Sequence, residues 1–388
     1  MENFTYVNPT KIIFGRGTQN EVGKEIKAFG GQKILLHYGS ERWKQEPLYQ
    51  EVITSLKDNG IEYMELGGVV PNPRLSLVQE GIKMVKDNNL DFILAVGGGS
   101  VIDSAKAISG GAKIEGDVWD SIHVNGELLD CLPLGCILTL PATGTEMNGR
   151  SVITNEDNKE KRGASFANPV FSILNAELCA SLPKNQIANG AVDMFSHCFE
   201  RYFTNTTNVE FTDRLLEATM KSIVSLSHDV YKDPSDYDKY AQLLWCGTMA
   251  HNFLLCVGRE TDWASHQIEH ELSGMYDVAH AAGLSVVMPA WMKYTLKQNP
   301  GRLAQLGVNV FGLPADYMDV ERLANQTIDA AKQWFQSLDM PITLSELNIP
   351  ESSIKELAQG ATRNDTLVQG KYVKLKAKDV EEILKLAL

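Results

Sequence analysis

The chain has 388 residues, 44% of them hydrophobic and 22% charged, an ordinary globular composition. That length exceeds what one hydrophobic core usually organises, so two domains are expected. The formal charge of −13 repels nucleic-acid phosphate and anionic lipid alike and argues against both as partners.

The start, MENFTYVNPTK, lacks the basic end and apolar core of a signal peptide. No run of about 18 apolar residues offers a spanning helix, so a soluble cytoplasmic protein is expected. Along residues 1–182 short apolar runs alternate with amphipathic ones. KILLHYG (33–39) reads as a strand, residues 47–58 as a helix, IEYMELGG (61–68) as a second strand and residues 76–87 as a second helix. DFILAVGGG (91–99) reads as a third strand ending in glycine, SVIDSAKAIS has helical spacing, and PLGCILTLP (133–141) and PVFSILN (169–175) add further strands. Such alternation predicts a mostly parallel, Rossmann-like sheet with helices on both faces. Residues 183–388 read as all-helical, punctuated by Pro234, Gly258, Pro289 and Pro300. The six cysteines form no C-x-x-C and read as small apolar core residues.

In AVGGGSVIDSAK, Gly97, Gly98 and Gly99 stand where a buried strand meets a helix. Glycines there let backbone N–H groups approach an anion, and a helix N-terminus adds partial positive charge. Ser100 is a good N-cap and Asp103 stands where a capping-box acid would, so a pyrophosphate site is expected. A plain strand-to-helix turn is the alternative, since Ile102 replaces the third glycine of the Rossmann fingerprint and no Walker G-K-[ST] follows. After the first strand come Gly39, Ser40, Glu41, Arg42 and Lys44. Two cations beside small residues favour a 2′-phosphate, hence NADP(H).

Asp193 and His197 are four residues apart, as are His266 and His270, so each pair shares one helix face. His280 is fourteen residues past His266, about 21 Å along an unbroken helix, which one ion cannot bridge. The helix must therefore end between them, with Gly274 as the stop and Asp277 as a cap for the next helix. Histidines 37, 123, 228 and 251 read as ordinary core or surface residues. HQIEH (266–270) also matches the H-x-x-E-H of zinc proteases, with Glu269 as general base, but that reading leaves the glycine turn, Asp193 and His280 unexplained.

PTKIIFGRGT, PNPR (71–74), AVGGGSVIDSAK, LTLPATGTEMN, PVFSILN, QIANGAVDMFSH and DWASHQIEHELSGMYDVAHAAGLSVVMPA together resemble the iron-containing (group III) alcohol dehydrogenase family, most closely its NADPH-dependent butanol dehydrogenase and aldehyde reductase branch. The resemblance runs nearly end to end. It implies an α/β dinucleotide-binding domain over 1–182, an all-helical metal and substrate domain over 183–388, an active site in the cleft between them, and a homodimer. It implies Asp193, His197, His266 and His280 as metal ligands, with Fe(II) favoured and Zn(II) able to replace it. It places the cofactor on Gly39, Ser40, Asn72, Gly98, Gly99, Ser100, Thr139 and Thr143, with Lys161 towards the nicotinamide. His270 is left as a catalytic proton relay or a hydrogen-bonded neighbour. The implied reaction is reversible hydride transfer between the nicotinamide and a small aliphatic aldehyde or primary alcohol such as butanal and butanol. Glycerol dehydrogenases and dehydroquinate synthases share the architecture and stand as alternatives. Two departures stand out: GSER at 39–42 replaces a glycine–serine-rich loop, and Thr145 replaces the serine of T-G-S-E.

Overall fold

The computed structural model describes residues 1–316 and 318–388; the side chains of 123–125, His123 among them, lie outside the description. The chain divides into two compact units, one of residues Val7–Ser181, the other of Met1–Tyr6 with Leu182–Leu388.

The first unit runs β1 (Lys11–Phe14), α1 (Val22–Ala28), β2 (Lys33–Tyr38), α2 (Pro47–Asp58), β3 (Glu62–Leu66), α3 (Leu75–Asn88), β4 (Phe92–Gly97) and α4 (Gly99–Gly111). It continues with α5 (Val118–Asn125), β5 (Glu127–Leu128), β6 (Leu134–Leu138), β7 (Arg150–Asn155), β8 (Glu160–Phe166) and β9 (Phe171–Leu174). Six strands form a wholly parallel sheet in the order β1-β9-β6-β4-β2-β3. The inner strands are near-continuous apolar runs buried on both faces, as parallel strands under helices must be. Ile34, Leu36, Phe92, Leu94 and Ile137 pack with Val22, Ile26, Val52 and Leu56 of α1 and α2. Each such buried side chain contributes about 1.5–3 kcal/mol. The period-two alternation turns His37 away from that cluster, to Ser104 of α4.

Sequence periodicity does not anticipate β1, the two-residue β5 or the β7–β8 hairpin. KIIF is a short, half-exposed edge strand, and β8 is charged and only partly buried. The hairpin closes through Asn155 and Asn158, whose side chains accept the N–H groups of Asp157 and Glu160. The connection from β2 leads to β3 on one side and then to β4 on the other, so the order reverses between β2 and β4. Tyr38 lies level with Val96 there, and Gly39 and the glycine turn follow the two strand ends. A reversal of this kind opens the crevice where open α/β sheets bind ligands.

The second unit is helical: α6 (Lys184–Tyr202), α7 (Glu210–Lys232), α8 (Tyr237–Ala250), α9 (Ala264–Tyr276), α10 (His280–Thr295), α11 (Pro300–Asn309), α12 (Val320–Ser337), α13 (Ile354–Ala361) and α14 (Ala377–Lys385). Helix α6 is buried along almost its whole length and packs against α7, α8 and α10. No described helix is long and apolar enough to cross a membrane.

Candidate functional site

Helix α6 presents Asp193, His197 and Glu200 at spacings of four and three, on one buried face. Helix α9 presents His266, Glu269 and His270. The expected break before His280 occurs, but not at Gly274. Helix α9 runs on to Tyr276, and Asp277 closes it in the left-handed conformation at φ 52°. Asp277 is thus a C-terminal stop rather than a cap for the next helix, whose N-cap is Ala279. Ser273 fastens the bend by donating to Glu269 and to the Val278 carbonyl. His280 then opens α10, turned back towards His266.

Ligating atoms of Asp193, His266 and His280 all lie within 4.8 Å of one another. His280 Nε2 is 3.8 Å from Asp193 Oδ1. The His197 ring stacks on that of His266, centroids 5.1 Å apart. Asp193, His197 and His266 are buried, and His280 is half-buried. Glu200 Oε1 accepts from the His266 backbone N–H at 2.9 Å and faces His266 Nδ1 at 3.0 Å. Glu269 faces His280 Nδ1 in the same way. With a carboxylate behind each Nδ1, both rings are oriented Nε2-first, the arrangement of carboxylate–histidine–metal triads. His266 Nε2 is buried and has no hydrogen-bond partner, as an atom awaiting a metal would be. Burial, then His251 and His266, hold His197 well below the usual imidazole range, so it is neutral and able to ligate. The donor set fits a divalent transition metal.

Sequence reasoning passed over Glu200 and left Glu269 only as a protease base, although both stand three residues after a candidate ligand. It also read His251 as ordinary. The His251 ring lies 4.1 Å from that of His197 and 5.8 Å from Trp263. Phe253 and Trp263 adopt left-handed φ of 67° and 69°, rare for bulky side chains. The buried Arg201 guanidinium lies under Trp263, 4.9 Å from the ring centre, and donates to the His197 carbonyl. His270 is half-buried, 5.5 Å ring to ring from His280 and 6.5 Å from His266. Glu269 is fully buried on His280 and Ser273, unsuited to the water activation that a protease would ask of it.

In the α/β unit Gly97 ends β4, Gly98 caps α4 and Gly99 and Ser100 open it, all four half-exposed. Gly98, not Ser100, is the N-cap, and Ser100 lies inside the helix. Asp103 does not close a capping box. Its carboxylate accepts from Thr145 Oγ1 at 2.6 Å and from the Val152 N–H at 3.0 Å, across to the strand that packs on α4. A Cβ on Gly99 would stand 2.6 Å from Thr143 Oγ1, so glycine lets Thr143 close on the turn. Thr139 follows β6, its N–H donating to the Gly97 carbonyl at 3.0 Å. Asn72, left-handed at φ 56°, accepts from Lys161 Nζ at 3.0 Å.

Past β2, Ser40 accepts from the Arg42 N–H, and Arg42 is exposed. Lys44 is held by Glu65 at 2.7 Å and Glu41 at 2.9 Å. Glu65 first, then Tyr38 and Glu41, raise its ammonium well above the usual lysine range.

Two family models cover this chain: iron-containing alcohol dehydrogenase over residues 9–176, and the C-terminal domain of the Fe-containing alcohol dehydrogenase family over 187–388. The chain is 42% identical over 390 residues to a probable NADH-dependent butanol dehydrogenase of Bacillus subtilis, covering 100% of each. It is 33% identical over 362 residues to the NADPH-dependent aldehyde reductase YqhD of Escherichia coli, covering 92% of each. Its fold matches the crystal structure of the NADH-dependent butanol dehydrogenase A of Thermotoga maritima, with a TM-score of 0.94, 41% identity and coverage of 100% of this chain and 99% of that one.

Proposed function

Because the chain belongs to the iron-containing alcohol dehydrogenase family, we propose that it interconverts small aliphatic aldehydes and primary alcohols, butanal and butanol among them. It is a metal-dependent, nicotinamide-linked oxidoreductase. The observation that carries the reading is the meeting of Asp193, His266 and His280, with a glutamate behind each histidine.

Asp193, His197, His266 and His280 would hold one divalent ion, Fe(II) by preference and Zn(II) as a substitute. When bound, the ion supplies Lewis acidity to the substrate carbonyl and the nicotinamide supplies the hydride. Glu200 and Glu269 keep the Nδ1 protons of His266 and His280 in place, so that both Nε2 lone pairs stay available. His251, Phe253 and Trp263 offer a largely apolar, aromatic surface beside His197, suited to an aliphatic chain. His270, one turn from His266, is assigned the proton exchange with solvent. Gly39, Ser40, Asn72, Gly97, Gly98, Gly99, Ser100, Thr139, Thr143 and Lys161 are assigned to the cofactor, with the pyrophosphate on the glycine turn.

The cofactor form follows from the loop after β2. Of the two cations that favoured NADP(H), Lys44 is engaged by two carboxylates and only Arg42 remains for a 2′-phosphate. Glu41 is itself engaged, by Lys44 and by the Tyr38 hydroxyl at 2.8 Å. This supports NAD(H) as the preferred form, with NADP(H) usable through Arg42. The test is anaerobic purification, metal analysis, and oxidation of NADH and NADPH with butanal in the presence of Fe(II) or Zn(II). Turnover with a larger kcat/KM for NADH is expected. Absence of turnover with either nucleotide would sink the reading.

A further inference from the structure

Lys106 lies on α4, two turns beyond the glycine turn, and its side chain is wholly buried. Its ammonium has four acceptors within reach of its three N–H groups: the Thr145 carbonyl at 2.7 Å, Thr145 Oγ1, the Arg150 carbonyl at 2.8 Å and Asn148 Oδ1 at 3.4 Å. Thr145 and Asn148 belong to the loop between β6 and β7, and Arg150 is the first residue of β7. The Thr145 hydroxyl donates a hydrogen bond to Asp103, one turn back on α4, so the hydroxyl joins lysine and carboxylate. Asn148 completes the arrangement: its Nδ2 donates to the Gly144 carbonyl at 2.8 Å and its Oδ1 accepts the Arg150 N–H at 2.8 Å. The same loop carries Thr139, bound to Gly97, and Thr143, packed on Gly99.

A buried ammonium is an expensive way to hold two segments together, and a methionine of similar volume would fill the space without the desolvation cost. What an apolar side chain would not do is fix the direction of approach. Four acceptors around one nitrogen set the register of the loop on the helix, and a buried polar group is best justified where it specifies geometry.

We propose that Lys106 is a positioning residue for the cofactor, locking the Thr139–Arg150 loop onto α4 through Thr145 so that Thr143 and the glycine turn form one surface for the pyrophosphate. This rests on the reading that the glycine turn binds a nicotinamide dinucleotide. Lys106 itself touches no ligand.

The experiment uses the metal-loaded enzyme and NADH as the probe, with fluorescence titration for binding and steady-state kinetics with butanal. Lys106→Met and Thr145→Val are expected to raise the NADH Kd and KM about tenfold or more, with kcat at saturating NADH within about threefold of the original and metal content unchanged. Thr145→Ser, which keeps the hydroxyl, is expected to bind NADH within about twofold of the original. If Lys106→Met does not fold, the Thr145→Val and Thr145→Ser pair decides. A folded Thr145→Val that binds NADH as well as the original, or that loses kcat at unchanged KM, overturns the proposal. An original enzyme that binds neither NADH nor NADPH overturns the cofactor reading beneath it.

Discussion

The helical unit and the α/β unit prepare for their ligands with opposite materials. In the helical unit the donors are side chains: a carboxylate and imidazoles crowd together, with two further carboxylates behind them. In the α/β unit the proposed donors are main-chain N–H groups at a helix start, and the charged groups nearby, Lys106 and Asp103, are turned inward to shape the loop. The first region gathers carboxylates and imidazoles of the kind that a divalent ion binds. The second turns Lys106 and Asp103 away from the glycine turn and depends more on shape. Damage to the first should therefore be read in metal content, and damage to the second in cofactor affinity.

The strongest way to break this contrast is His280→Ala. It is expected to empty the site of metal and to lower kcat/KM on the order of a thousandfold or more while NADH binding by fluorescence persists. Retained metal would instead mean that His266 and His270 suffice, as the protease pattern requires. An acid titration sharpens the other side. Burial pushes His37 down to about 4, with the Leu66 carbonyl pulling back, so the folded α/β unit resists a proton that the unfolded chain accepts near pH 6.5. Its contribution is complete above pH 6.5 and is lost as the pH falls towards 4, by about 2 kcal/mol at pH 5. Urea unfolding at pH 7 and pH 5 should show this slope, and His37→Gln should flatten it.

Glu200→Gln tests the support rather than the ligands. It keeps the shape and removes the charge behind His266, so metal affinity, followed by chelator competition, should fall about 10–100-fold. The smallest effect is expected at Gly99→Ala, where the added methyl must displace Thr143. Overpacking of about 1–3 kcal/mol should appear as a KM for NADH roughly tenfold higher, with metal content untouched.

How much of this the sequence discloses follows the same division. The inner strands and α2 are legible because continuous apolar runs and a 3.6-residue period leave little choice. The ligand spacings on α6 and α9 are legible because residues four apart share a helix face whatever the tertiary context. Glu200 and Glu269 obey that same rule and were within reach, yet an acid on a helix usually reads as a solvated face. The geometry around Lys106 was not within reach. It depends on a loop forty residues away folding back on α4, and no local pattern encodes that return. His251 stayed hidden for a similar reason, since α8 must first lie against α6. The loop after β2 shows the complementary case. Lys44 counts as a free cation in the sequence, and only the pairing of β2 with β3 brings Glu65 to it.

The left-handed stop at Asp277 also makes the ligand set a matter of spacing as well as identity. Three residues separate the last residue of α9 from the first of α10, and His280 is that first residue. One residue inserted or deleted there would swing the imidazole by about 100° around its helix and leave every ligand type intact but misdirected. Length variation, which surface connections usually absorb, is therefore closed to this one. A variant shortened by a single residue between Tyr276 and His280 would keep the full motif in its sequence and lose the centre in its fold.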